Sequence, residues 1–77
     1  MATMTVVTVL PPTHAALPEV GRALARLLDP EIAILLSTRL ALGGSGSFVV
    51  PTAALWNVTG LLAGAGATTL SKPVATC

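Results

Sequence analysis

Three different patterns of apolar and polar positions follow one another along this chain. Residues 3–10, TMTVVTVL, interleave valine and threonine and stop at Pro11-Pro12. β-Branched residues fit a pleated, half-buried surface, so this segment is predicted as a strand. Its place near the terminus predicts an edge strand, or an arm able to pair with another chain.

Residues 17–28 change period. Leu17, Val20, Leu24, Leu27 and Leu28 fall on one helical stripe, and Glu19, Arg22 and Arg26 lie away from it. Pro18 suits the first turn, where its missing N–H costs nothing, and Glu19 suits the positive end of the helix dipole. Asp29-Pro30 ends the segment, because a residue before proline avoids the α region.

Residues 31–42 fit two periods. Ile32, Ile34, Leu36, Leu40 and Leu42 occupy five of the six even positions, whereas Leu35 is the one large apolar residue at an odd position. That alternation predicts a half-buried strand. A helix has support from its ends: Asp29 as N-cap, Pro30 in the first turn, Glu31 at the dipole and Gly43 as the stop. The alternation favours the strand. GGSGS at 43–47 is then a hairpin loop and residues 48–58 the return strand, with Pro51 restricting it to an edge or a bulge. In the rival reading, Pro51 starts a helix running toward Gly60 or Gly64. Residues 60–70 are small and apolar, and residues 71–77 read as a tail. The fold predicted over residues 1–77 is a small single α+β domain with an N-terminal strand, one amphipathic helix and a β-hairpin across GGSGS. An all-α hydrophobic helical hairpin is the rival.

Composition sharpens this picture. Of 77 residues, 53% are hydrophobic and only 9% charged, against about 45–50% and 25% in ordinary domains. A domain this short buries about 60% of its unfolded surface and usually needs a staple or a partner. One cysteine, Cys77, closes no disulfide within the chain, and one Cys with one His cannot build a four-ligand zinc site. Oligomerisation or lipid is left as the expected stabiliser. A net charge of +1 and two aromatics, Phe48 and Trp56, argue against a nucleic-acid surface.

Candidate chemistry is sparse. His14 has no carboxylate or nucleophile near it in sequence, and Glu19, Asp29 and Glu31 read as element-boundary residues. General acid–base work needs two positioned groups, so no catalytic residue, cofactor or metal is expected and the chain is read as non-enzymatic. GSGS at 44–47 lacks the Lys-Ser/Thr ending of a phosphate loop. Asn57-Val58-Thr59 fits a glycosylation sequon, but no secretory signal accompanies it. Cys77 could join two chains or cyclise onto Thr68, Thr69 or Ser71; neither has a second supporting feature.

Three functions compete. The leading one is a small structural subunit of a multi-subunit assembly such as a virion, shell or filament, made in the cytoplasm. Its expected contacts with other protein subunits are Val6, Val7, Val9 and Leu10 in the arm, then Phe48, Val50 and Trp56. Strand addition would link such subunits. The alternative is a membrane accessory subunit spanning once through residues 48–70, which hold no charge and include a small-xxx-small motif, Gly60 to Gly64. A third is a soluble interaction module that docks helix 17–28 on a partner.

Overall fold

The computed structural model describes residues 3–74. Its elements run β1 (Met4–Val9), α1 (Leu17–Leu27), α2 (Pro30–Ala41), β2 (Gly46–Pro51), a single 3₁₀ turn (Thr52–Ala54), α3 (Leu55–Gly64) and β3 (Thr69–Val74). The class is α+β: one antiparallel sheet ordered β2-β1-β3, with helices packed on one of its faces.

The Val/Thr segment is a strand, but it is the middle one. Val7 pairs with Phe48 on one side and with Ser71 on the other. Both hydrogen-bonding edges of β1 are therefore occupied within the chain, and the expected free arm is corrected. Alternation decides which residues face the helices. Thr5, Val7 and Val9 are buried, while Met4, Val6 and Thr8 point to the other face. Thr5 is the buried polar residue of this strand, and its Oγ1 shares a 2.8 Å hydrogen bond with Thr52 Oγ1.

Helix α1 forms where its stripe predicts, with Pro18 in the first turn and Glu19 and Arg26 at the matching dipole ends. Its apolar face enters the core through Val20, Ala23 and Leu24.

Residues 31–42 are not a strand. They form α2, and the hairpin across GGSGS does not exist. The helix signals at the two ends prevail over the period-two pattern. Pro30 occupies the first turn, and Gly43, at φ +84°, ends the helix. There the Gly44 N–H donates to Arg39 O at 2.9 Å and the Gly43 N–H to Leu40 O at 3.1 Å. These two bonds make a Schellman cap, for which a left-handed glycine is best suited. Gly43 and Gly44 are thus consumed in stopping a helix.

The return strand is also shorter than expected. β2 ends at Pro51, and Leu55–Gly64 wind into α3. Gly66, at φ +97°, caps α3 in the same way, with the Ala67 N–H bonded to Leu62 O at 2.9 Å. Part of the expected tail is ordered as well: β3 runs to Val74 along the free side of β1. Cys77 lies outside the described residues. The core is one cluster joining Val7, Val9, Val20, Leu24, Leu36, Leu40, Phe48, Val50, Val58 and Leu62 across all three helices and two strands.

Candidate interaction surface

The sequence-predicted contact residues separate into two groups. Val7, Val9, Phe48 and Val50 are buried in this chain's own core and present nothing to a partner. Val6 and Leu10 are half-buried, and the Leu10 N–H donates to Thr68 O at 2.9 Å. Trp56, at the start of α3, is 85% exposed. The apolar stripe of helix 17–28 faces this chain's own core, with Val20 and Leu24 buried and Leu17, Leu27 and Leu28 packed against it.

Membrane spanning by residues 48–70 fails on geometry. The segment is divided among a strand, a 3₁₀ turn, a 10-residue helix and the start of another strand. Ten helical residues reach about 15 Å, half of the bilayer's hydrocarbon core. Among the described residues, no helix is long and apolar enough to cross a membrane. An added Cβ at Gly60 or Gly64 would meet nothing within 4 Å, so nothing packs closely against the two glycines of the small-xxx-small motif.

Uncovered apolar residues collect on two surfaces of the fold. One side is the sheet face turned away from the helices. Strand register sets its rows: Met4 between Pro51 and Val74, Val6 between Val49 and Lys72, Thr8 between Ser47 and Leu70. Val49, Leu70 and Val74 are exposed there. A 3.0 Å hydrogen bond joins Thr8 Oγ1 to Ser47 Oγ within this face. β3 is the most open strand, since even Ser71 and Pro73, which share the register of the helix side, are exposed. Lys72 and Pro73 on this edge are residues that discourage indiscriminate strand pairing.

The other side is the outer face of α2. Ala33, Leu36 and Leu40 point to the core, while Ile34 is 66%, Leu35 68% and Leu42 83% exposed. Ile32 is partly open beside them. A shallow groove between this helix and β2 is lined by Ile32, Leu35, Leu36, Arg39 and Leu42 and by Ser47 of β2. The strand reading of 31–42 concealed this face, because it assigned Ile32, Ile34 and Leu42 to the buried side. The available signal was composition: a helix with large apolar residues all round expects cover all round.

The chain matches no protein-family model, no curated protein and no solved structure at a significant level. The surface chemistry therefore carries the functional reading. His14, Glu19, Asp29 and Glu31 are all exposed. Among the described residues no three His, Cys, Asp or Glu side chains gather as a metal site would require. The groove between α1 and α3 brings Glu19, Arg22 and Arg26 together beside Gly60 and Leu61, with no nucleophile among its lining residues.

Proposed function

We propose that this protein is a non-enzymatic structural subunit that packs against other protein subunits in a shell, filament or particle. One observation carries the reading: apolar side chains stand uncovered on both layers of a two-layer fold, Ile34, Leu35 and Leu42 on the helical side and Val49, Leu70 and Val74 on the sheet side. A contiguous apolar patch on a small chain marks an interaction surface. Two separate patches, one on α2 and one on the sheet, suit a subunit with more than one kind of neighbour contact. A single two-fold patch closes at a dimer, whereas a second, different patch lets contacts propagate. With β1 paired on both sides, strand addition moves from the N-terminal segment to the free edges of β2 and β3.

Light scattering during size-exclusion chromatography tests the proposal on the purified full chain. A multimer whose mass rises with concentration is the expected result. A single chain that stays monomeric up to millimolar concentration overturns it.

A further inference from the structure

We infer that the outer face of α2 is a two-fold contact between copies of this chain, in which two α2 helices pack antiparallel with Leu35 on the axis. The inference rests on the assembly reading above and names the partner for one of its surfaces.

Charge is the first support. The N-terminal end of α2 is acidic, with Asp29 and Glu31 exposed, and its C-terminal end is basic, with Arg39 exposed. Glu31 and Arg39 lie eight positions apart, about 12 Å along one helix and too far to bridge within it. A two-fold axis at Leu35 brings residue 31 of one copy opposite residue 39 of the other, twice. The same arrangement sets the two helix dipoles head to tail, which adds attraction of the same sign. The charge pattern is thus self-complementary in the antiparallel sense and repulsive in the parallel one.

Shape is the second. Ile32, Leu35, Leu36 and Arg39 follow the spacing i, i+3, i+4, i+7 and line one groove, with the mostly buried Leu36 at its floor and Ser47 of β2 across from it. Four residues so spaced form the hole that receives a single side chain from a facing helix. At the axis that side chain is Leu35 of the second copy.

Area is the third. Leu35 and Leu42 face the second copy, with Ile32 and Ile34 on the two flanks of the helix; covering all four in both copies would hide about 1,000 Å², the low end for a specific interface. The flanking Thr38, Ala41 and Arg39 stems add to it. The sheet face lacks such a pattern: among the described residues its one charged side chain, Lys72, sits in the middle row beside Val6 and has no acidic counterpart on that face.

Sedimentation equilibrium on the full chain, beside Leu35→Asp, tests the contact. Leu35 lies mostly outside the core, so the variant should keep the far-UV circular dichroism of the parent. The expected result is a multimeric parent and a variant whose self-association is weakened by about 30-fold or more. A second pair of variants covers the case in which Leu35→Asp misfolds. Glu31→Arg and Arg39→Glu should each weaken association about two- to fivefold, and the double exchange should restore it.

Crosslinking locates the axis. Interaxial distances of 8–10 Å place facing Cα atoms about 3.4–5.4 Å apart, overlapping the range a disulfide bridges. Leu35→Cys in a Cys77→Ser background should therefore oxidise to a covalent dimer. An unchanged mass for Leu35→Asp, or no covalent dimer from Leu35→Cys, overturns the α2 contact and leaves the assembly reading standing. A monomeric parent overturns both.

Discussion

Helices α1 and α2 follow each other directly, have nearly equal lengths and both present a proline in the first turn. They differ in how many sides they ask to have covered. α1 puts Val20, Ala23 and Leu24 into the core and turns Glu19, Arg22, Ala25 and Arg26 to solvent. α2 also buries three residues, Ala33, Leu36 and Leu40, yet its outward residues include Ile34, Leu35 and Leu42. One helix has its apolar face covered within the chain. The other leaves large apolar residues open. Apolar area is the same chemistry in both, so the difference teaches where this chain leaves apolar surface uncovered.

Substitutions at one leucine in each helix give the widest separation. Leu24 is fully buried in α1. Leu24→Ala should remove about 2–5 kcal/mol, from lost transfer free energy and the cavity left behind. That is a large share of the stability of so small a domain, and the thermal transition should shift far down or lose cooperativity. Leu35→Ala in α2 should change the folding free energy of the isolated chain by no more than about 0.5 kcal/mol. Equal losses at the two sites in chemical denaturation of dilute protein would remove the contrast.

A smaller loss is expected where α2 meets the sheet. A Cβ at Gly46 would press into the Leu36 side chain, which is itself buried. Gly46→Val should cost about 1–3 kcal/mol through overpacking. Leu36→Ala should partly relieve that cost in the double variant, because contacting sites are not additive. Smaller again is the helix stop. Gly43 has φ +84° and open space around it, so Gly43→Ala carries conformational strain alone, about 1–2 kcal/mol. A melting temperature for Gly43→Ala equal to the parent's would show that the cap relaxes freely.

The same two helices explain what could be read before the fold was known. α1 was legible because its charges mark the solvent side and leave one period to find. α2 was not, because Ile32, Ile34, Leu35, Leu36, Leu40 and Leu42 encircle the helix, and a ring of apolar residues contains every period, including two. Its ends were legible all the same: Asp29-Pro30-Glu31 and Gly43 state the boundaries that the structure shows. β1 was legible as a strand from its Val/Thr content. Its central place was not, since both neighbours, β2 and β3, lie 37 or more positions away in register and β3 carries Lys72-Pro73, a pair that resembles a tail. Trp56 stood out in the sequence and is exposed in the fold. The α2 face, by contrast, went unseen because the period-two reading sent half of it inward.

The smallest expected effect on folding makes the sharpest comparison. Leu42 is 83% exposed, just past the last turn of α2. Leu42→Lys removes an apolar side chain that the isolated chain barely uses and places a positive charge at the negative end of the helix dipole. In dilute protein the melting temperature should therefore hold or rise slightly, by no more than about 0.5 kcal/mol of added stability. Concentrated protein should respond differently. Association adds to the stability of the folded state by mass action, so the parent's melting temperature should climb with concentration. Lysine at 42 weakens the apolar stripe that association covers, so the variant's climb should be shallower and the two curves should cross. Charge changed on the side of α1 that faces α3, as in Arg26→Glu, should leave the concentration dependence unaltered. Parallel curves for Leu42→Lys and the parent would mean that the outer side of α2 is as self-sufficient as that of α1.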